Sequence, residues 1–359
     1  MSLPRAEEQI QFLVRIQRLL DEGSFSASYK FALLLALAQV SIEKGDDSGS
    51  PLVVTTRDLA EHFIRQYWRQ VIPFVPVDGQ NRGRVLRQNT GGQAAILGEI
   101  EAARRRFDGS LVTLVRDSKA WKKLLASVAM TIDKMPLWKL QTVGRERLSF
   151  LYEKAAGRHE IELKGGIAYC FRRFHPLVQD LVQAAWTRFV RRIKANQDLV
   201  GGSNELGDFL FGSDRAVLAD FQPILRDVQR ASCFYCRGSI TRDAAIDHFV
   251  PWSRYAIDLG HNFVLAHAGC NSRKSDRLAA VEHLERWCER NVEHGQLLAD
   301  RFDEKSLVHD LRASRQIAGW AYAQAEAAGS QLWRAADELV PVDPSWRDLP
   351  GMPTRLPDR

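Results

Sequence analysis

Two short pairs of metal-binding side chains stand 30 residues apart in the sequence. CFYC holds Cys233 and Cys236, and HAGC holds His267 and Cys270. Together they offer three thiolates and one imidazole, which meets the tetrahedral demand of a structural zinc ion. A single C-x-x-C pair would be weak evidence, because that spacing also occurs in redox pairs. Two pairs separated by a domain-sized insert predict that all four residues bind one Zn²⁺.

Residues with a different chemistry lie between the two pairs and just after the second. Asp247 and His248 are adjacent, Asn262 follows His261, and Asn271 comes directly after Cys270. A carboxylate and an amide offer the oxygen ligands that Mg²⁺ or Mn²⁺ prefers. A histidine can accept a proton near neutral pH. These residue types therefore suit the hydrolysis of a charged ester, which needs both a hard cation and a base.

Read as CFYC, DHFVPWS and HNFVLAHAGCNSRKSD, this stretch resembles the HNH endonuclease family, whose active site is a zinc-clasped ββα-metal fold. The resemblance extends from roughly Ala231 to Leu278. It implies that Asp247 and His248 lie on the first strand, that Asn262 precedes the second, and that the residue after the last zinc ligand opens the helix. Asn271 stands where the commonest pattern has the last histidine, an HNN-type variant. His267 stands in place of a zinc cysteine.

The resemblance also implies the reaction, which is metal-dependent hydrolysis of DNA to 5′-phosphate and 3′-hydroxyl ends. Asp247 and Asn271 are expected to bind Mg²⁺ or Mn²⁺, and His248 to be the general base. Asn262 is expected to brace the loop and orient that base. Adjacent strand residues point to opposite sides, so Asp247 and His248 need a twist or bulge to converge on one phosphate. One module makes one active site, so one chain is expected to nick.

Basic residues beside this stretch could bind phosphates that flank the cut. The candidates are Lys274, Arg273 and Arg254, although a solvated basic helix start explains them equally well. Double-stranded DNA is the expected partner. RNA stays open as a substrate, since the motif contacts the backbone and carries no base-reading code.

The expected biological setting is a bacterial restriction or antiphage defence nuclease, with other subunits of such a system as possible partners. A mobile-element or repair nuclease is the nearest enzyme alternative. A different class of protein is also open, namely a catalytically silent zinc-dependent DNA-binding module in a larger complex. The combination of Asp247, His248, Asn262 and Asn271 argues against that class, because a binding module needs none of the four.

Composition sets the broad class of the protein. Among 359 residues, 45% are hydrophobic and 26% are charged, which is typical of a soluble globular chain. The longest apolar run, Phe31 to Val40, is too short for the roughly 20 residues of a membrane helix. The N-terminus lacks the pattern of a secretory signal, so a cytoplasmic protein with no membrane partner is expected. A net charge of +6 is compatible with a polyanionic partner but too small to establish one.

Apolar periodicity predicts a mainly α-helical fold in which helices flank the small ββα-metal zinc module. The expected domains are a helical, regulatory or DNA-binding domain (1–205), the nuclease module (206–280), a C-terminal helical cap (281–345) and a flexible tail (346–359). An edge strand is predicted in VVTT after Leu52, and a hairpin on Gly165-Gly166 that could instead begin a helix. Long helices are predicted at Glu7–Leu20, Ser28–Glu43, Arg57–Gln70, Ala94–Phe107, Lys119–Met130 and Pro176–Ile193.

Several other reactive or aromatic residues are given structural roles. Three histidines outside the motif positions are expected to be surface or hydrogen-bonded residues: His175, His261 and His283. Packing is favoured over base stacking for three aromatic residues: Trp252, Tyr255 and Trp287. Cys170 and Cys288 have no partner at metal spacing and are expected to be buried thiols.

Overall fold

A computed structural model describes residues 3–75, 83–154, 159–200, 205–212 and 218–353. The chain divides into two compact units, Met1–Gly212 and Ser213–Arg359. Helices dominate the described residues and the sheets are small, so the prediction of a mainly α-helical fold is confirmed. No described helix is long and apolar enough to cross a membrane.

The N-terminal unit is a helical assembly with two small sheets. Its helices are α1 (Ala6–Glu22), α2 (Tyr29–Lys44), α3 (Thr56–Gln70), α4 (Ala95–Arg106), α5 (Leu111–Arg116), α6 (Ser118–Lys134), α7 (Pro136–Lys139), α8 (Ile167–Arg173), α9 (His175–Arg192), α10 (Gln197–Val200) and α11 (Leu206–Phe211). Its strands are β1 (Leu52–Thr55), β2 (Thr142–Val143), β3 (Glu146–Arg147), β4 (Tyr152–Glu153) and β5 (Glu160–Leu163). The six long predicted helices are all present.

Helix α2 forms the centre of this unit. Its sequence is apolar on every side, which is typical of a helix surrounded by others. All residues from Lys30 to Ile42 are buried. It contacts α3, α8 and α9. Helix α3 begins where the sequence predicts, because the Thr55 side chain accepts a hydrogen bond from the Asp58 backbone in a capping box.

The strand after Leu52 lies where the sequence predicts, whereas the hairpin on Gly165-Gly166 does not form. Strand β1 is an edge of a three-stranded antiparallel sheet with the order β1-β5-β4. Gly166 has a φ of +80° and precedes α8, so these glycines turn the chain into a helix. The hairpin prediction was wrong, and its alternative, the start of a helix, was right.

The C-terminal unit holds two two-stranded sheets among its helices. The helices are α12 (Gln222–Val228), α13 (Ala268–Lys274), α14 (Val281–Glu293), α15 (Gly295–Glu304) and α16 (Leu311–Ala327). The strands are β6 (Ala244–His248), β7 (Phe263–His267), β8 (Gln331–Ala335) and β9 (Glu338–Pro341). The β8–β9 pair was not foreseen in the expected helical cap. In the expected tail, Pro344–Asp348 form a 3-10 helix with Trp346 buried, and residues 354–359 lie outside the described residues.

A ββα arrangement occupies the middle of the C-terminal unit. Strands β6 and β7 are antiparallel, and their register pairs His248 with Phe263 and Ala244 with His267. Helix α13 follows β7 without a break and contacts both strands. Asp247 and His248 therefore end the first strand, and Asn262 directly precedes the second, as the resemblance implies.

Candidate functional site

The four predicted zinc ligands come together. Cys233 and Cys236 lie in the turn after α12, His267 ends β7, and Cys270 lies in α13. One ligand atom from each residue lies within 4.8 Å of the others. Cys233 is buried and Cys236 is exposed, so the cluster lies at the edge of the unit.

The chemistry of this cluster fits a zinc ion. The Nε2 atom of His267 lies 3.2 Å from the Ser239 carbonyl, to which it can donate, and Nδ1 lies 3.3 Å from the Cys236 sulfur. The hydrogen bond from Nε2 to Ser239 fixes the tautomer in which Nδ1 is free to bind a metal. Burial and the neighbouring thiols raise the pKa of Cys270 to about 12, so this sulfur becomes a thiolate ligand only when a cation binds it. The four residues could bind zinc in a closed tetrahedral site.

Asp247 is held from inside the protein. Its carboxylate is buried, accepts a hydrogen bond from the Tyr235 hydroxyl, and lies 2.9 Å from the Lys274 ammonium. Lys274 also donates to the His248 carbonyl at 2.9 Å. Burial and the Asp247 charge raise the pKa of Tyr235, so its hydroxyl stays protonated as a donor. These bonds fix the position of the carboxylate.

The expected contact of Lys274 with DNA is corrected by this arrangement. Its side chain is 0% exposed, so its ammonium is not available to a phosphate outside the protein. Burial lowers the pKa of Lys274, and the Asp247 charge opposes that effect. The lysine is instead an internal counter-ion, a role that sequence cannot separate from phosphate binding because both need the same charge.

His248 has a partner that the sequence analysis missed. Its Nε2 atom lies 2.7 Å from the Asp258 carboxylate, and its ring meets the edges of Phe263 and Trp252. The His248 side chain is 11% exposed. Asp258 is the one acidic residue between His248 and Asn262 in the sequence, which is the signal that could have identified it. The pair fixes the orientation of the imidazole.

Asn262 joins the two sides of the loop that follows β6. Its side-chain oxygen accepts from the Val250 backbone at 2.8 Å, and its amide donates to the Val250 carbonyl at 2.9 Å. Its own carbonyl accepts from Phe249 at 2.8 Å. Asn262 is buried, and its bonds hold the backbone of the two residues that follow His248.

Asn271 lies in the middle of α13 and does not open it, which departs from the implied pattern. The helix begins at Ala268, directly after the strand that ends at His267. Asn271 and Lys274 are three positions apart and share a face of α13, and α13 contacts the strand that carries Asp247. Its side chain is half-buried and makes no hydrogen bond to another described residue. It has an amide oxygen free to bind a cation.

The two predicted arginines differ in accessibility. Arg273 is exposed on α13, whereas Arg254 is half-buried and its Nε atom has no hydrogen-bond partner among the described residues. Burial lowers the pKa of Arg254. A cavity of about 590 Å³ lies beside the zinc cluster and is lined by Arg273, with several other arginines and glutamates. Of the two, Arg273 is the more accessible to solvent.

The histidines, aromatic residues and cysteines to which the sequence assigns structural roles are buried, except Trp252, which is half-buried and packs edge-on against His248. His261 is buried and can donate from Nε2 to the Gly295 carbonyl at 3.0 Å, and burial lowers its pKa to about 4. Trp287 stacks on Phe249 inside the unit, which agrees with the packing prediction. The other residues with this outcome are also buried: His175, His283, Tyr255, Cys170 and Cys288.

Comparison with known proteins assigns a family model to each unit. Residues 233–280 match the model described as HNH endonuclease. This match confirms the resemblance over those residues and supports a nuclease at the general level, with DNA as the implied substrate. No significant match was found among curated proteins or solved structures. Residues 9–205, more than half of the chain, match the model described as domain of unknown function (DUF8808), and the protein therefore belongs to that family.

Proposed function

We propose that this protein is a metal-dependent endonuclease that hydrolyses DNA phosphodiester bonds and cuts one strand per active site. The observation that carries the proposal is the pair Asp247 and His248 at the end of β6, where each side chain is fixed by its own partner. A module that only binds DNA does not need a second carboxylate, here that of Asp258, hydrogen-bonded to a histidine. The HNH match over residues 233–280 supports the same conclusion.

The donor set around Asp247 fits a hard cation of the HNN-type site. Asp247 and Asn271 would hold Mg²⁺ or Mn²⁺, which when bound neutralises charge on the scissile phosphate and on the leaving oxygen. A carboxylate offers about four lone-pair sites, and Tyr235 and Lys274 leave part of that capacity unused. Lys274 keeps the oxygens oriented and is a positioning residue.

His248 acts as the general base in this mechanism. Asp258 accepts a hydrogen bond from the protonated Nε2, which leaves Nδ1 as the basic nitrogen. Nδ1 would take the proton of the attacking water, and the Asp258 carboxylate would stabilise the imidazolium that results. Asn262 holds the loop at Val250 so that the ring keeps its orientation.

The silent DNA-binding module is a second candidate, and one observation favours it. The side chains of Asp247 and His248 are only 7% and 11% exposed, so substrate must approach a largely covered site. The two candidates make opposite predictions about cleavage with added metal.

The decisive experiment is a nicking assay on supercoiled plasmid with added Mg²⁺ or Mn²⁺, comparing wild type with His248→Ala. We expect metal-dependent open circle from wild type and a rate at least about 10²-fold lower from the variant, since a positioned base contributes roughly 10²- to 10⁴-fold. His159→Ala is the matched control, because that side chain is 82% exposed. Equal cleavage by His248→Ala would remove His248 from the mechanism. DNA binding without cleavage by wild type would favour the silent module.

For the biological role, we propose restriction or antiphage defence, acting with other subunits of such a system. The support is the attachment of an HNH module to a larger helical unit. This support comes from the domain organisation and not from the chemistry of the site. Plating of phage on cells that express wild type or His248→Ala tests it. Equal plating would favour the mobile-element or repair alternative.

A further inference from the structure

The two units carry different charge, although both belong to a protein proposed to act on a polyanion. Residues 1–212 hold 31 Lys and Arg against 23 Asp and Glu, whereas residues 213–359 hold 19 against 21. Nucleic-acid affinity depends mainly on cations that neutralise phosphates. The unit with the candidate active site has no net excess of them, whereas the N-terminal unit does.

Most basic clusters of the N-terminal unit have a structural explanation. Arg104, Arg105 and Arg106 lie in the last turn of α4, and Arg191 and Arg192 lie in the last turn of α9. Cations at a helix C-terminus are stabilised by the partial negative charge of the helix dipole. These arginines therefore do not by themselves indicate a ligand.

Helix α6 has its cations at the opposite end. Lys119, Lys122 and Lys123 lie in its first two turns, and its first turn contains no acidic residue. The dipole is unfavourable for cations at this end of a helix. The spacings of three and four residues also bring Lys119 close to the other two lysines, and like charges at such spacings repel each other.

Apart from the N-cap carboxylate of Asp117, nothing within the described ranges offsets the charge of these lysines. All three lysines are exposed, and none forms an ion pair or side-chain hydrogen bond with a described residue. The opposite face of α6 holds the buried residues Leu124, Leu125, Val128 and Ile132, so the helix is fixed in the unit with its lysines outward. From Ser118 to Ile132 the sequence contains no acidic residue.

The surface next to these lysines carries two arginines, each paired with an acidic residue: Arg105 with Glu101 and Arg106 with Asp117. Asp117 is the N-cap of α6, and its carboxylate lies 3.9 Å from the Arg106 guanidinium. Arg105 and Arg106 have side chains that are 75% and 70% exposed. We define the α6 lysine face as Lys119, Lys122 and Lys123, with Arg105 and Arg106 at its border.

We propose that the α6 lysine face binds the phosphate backbone of double-stranded DNA. The inference rests on the proposed nuclease function, and charge complementarity identifies the occupant. Lysines on flexible stems act as point charges and suit contacts with phosphates, whereas base recognition favours the planar fork of arginine. The binding is therefore independent of sequence. DNA held by one unit is present at a raised effective concentration for the other unit of the same chain.

The test measures DNA binding separately from cleavage. The full chain carrying His248→Ala is titrated into a labelled 30-base-pair duplex without added divalent metal, and fluorescence anisotropy is followed between 50 and 200 mM NaCl. The test variant adds Lys119→Gln, Lys122→Gln and Lys123→Gln. Its matched control instead adds Arg188→Gln, Arg192→Gln and Lys194→Gln, three exposed cations at the end of α9 and just after it.

We expect the lysine variant to bind at least about ten-fold more weakly at 100 mM salt. Its plot of log K against log salt should be flatter by about 2 to 3, since each phosphate contact contributes roughly 0.9. The control should lose less than about two-fold in affinity, because cations that do not contact phosphates release few counterions on binding. An equal loss in the control would overturn the proposal, as would failure of the His248→Ala background itself to bind the duplex. Tighter binding to a single-stranded RNA of equal length would also overturn it.

Failure of this inference and failure of the nuclease proposal are distinguishable. Wild type that nicks plasmid while the lysine variant keeps full affinity would refute the α6 lysine face alone. Loss of affinity in the lysine variant, with no nicking by wild type, would refute the nuclease alone. Circular dichroism of each variant checks the fold, which substitutions of exposed lysines by glutamine should leave intact.

Discussion

The two units differ in how their sequence specifies them. The N-terminal unit is built around α2, where the requirement at almost every position is an apolar side chain of suitable size. The C-terminal unit depends on particular residue types at fixed spacings, such as the four ligands of the Cys-Cys-His-Cys cluster. Many sequences satisfy the first requirement and few satisfy the second. The pattern of apolar core residues therefore indicates only the fold, whereas the spacing of metal-binding residues also indicates the chemistry of a site.

The same contrast predicts how each unit loses its structure. Burial of apolar residues stabilises the N-terminal unit in many small contributions, each of which can be reduced without removing the others. A zinc ion bound by the Cys-Cys-His-Cys cluster would stabilise its surroundings through a single site, and loss of one ligand would affect the whole site. The three predictions below test that difference.

Cys233→Ser should have the largest effect and should confine it to the C-terminal unit. We expect loss of about one zinc per chain and loss of protection around β6, β7 and α13, because a structural zinc site contributes directly to folding. Metal analysis and hydrogen exchange by mass spectrometry measure the two effects. Cys288→Ser is the control, since that thiol is buried outside the cluster. A Cys233→Ser protein that retained its zinc would contradict the ligand assignment.

Leu34→Ala should have a smaller effect, confined to the N-terminal unit. Leu34 is fully buried in α2, and a truncation of this kind costs about 2 to 5 kcal/mol of unfolding free energy. Denaturant unfolding, with hydrogen exchange to locate the change, measures it, and zinc content should stay at the wild-type value. Leu177→Ala, at a leucine that is 45% exposed, is the control. Loss of zinc in Leu34→Ala would show that the units do not respond separately.

Asp258→Asn should have the smallest effect and should leave both units folded. The amide can still accept a hydrogen bond from His248 Nε2 but no longer stabilises the imidazolium, so we expect nicking to slow by about ten-fold, or about 1.4 kcal/mol. Single-turnover rates measure it, with zinc content and melting temperature as checks. Asp300→Asn, at an exposed acid on α15, is the control. Unchanged rates would limit Asp258 to a structural role.

Sequence alone identified most of the candidate site. The four members of the Cys-Cys-His-Cys cluster were predicted from their spacing, and the positions of Asp247, His248 and Asn262 relative to the two strands followed from the family pattern. The roles of Asp258 and Lys274 did not follow. Asp258 reaches His248 across a loop, and Lys274 looked like a surface cation until its burial was known. Both depend on how distant segments fold together, which spacing does not encode.

The helices of the N-terminal unit were equally accessible from sequence, because their periodicity and caps are local. The DNA contact proposed for this unit could not be predicted from the sequence. The charge of Lys119, Lys122 and Lys123 is visible in the sequence, but their exposure and lack of partners among the described residues are not. A basic run in a sequence is usually a solvated helix face. Only the structure shows whether the charge of such a face is balanced by neighbouring acidic residues.

Helix α13 has a consequence for how this protein can evolve. Its seven residues include Cys270 for the zinc cluster, Asn271 for the candidate metal and Lys274 as the counter-ion of Asp247. An insertion of one residue within it would rotate these side chains by about 100° relative to each other. Descendants of this sequence keep the three residues in register only if they inherit these roughly two turns of helix as a single block.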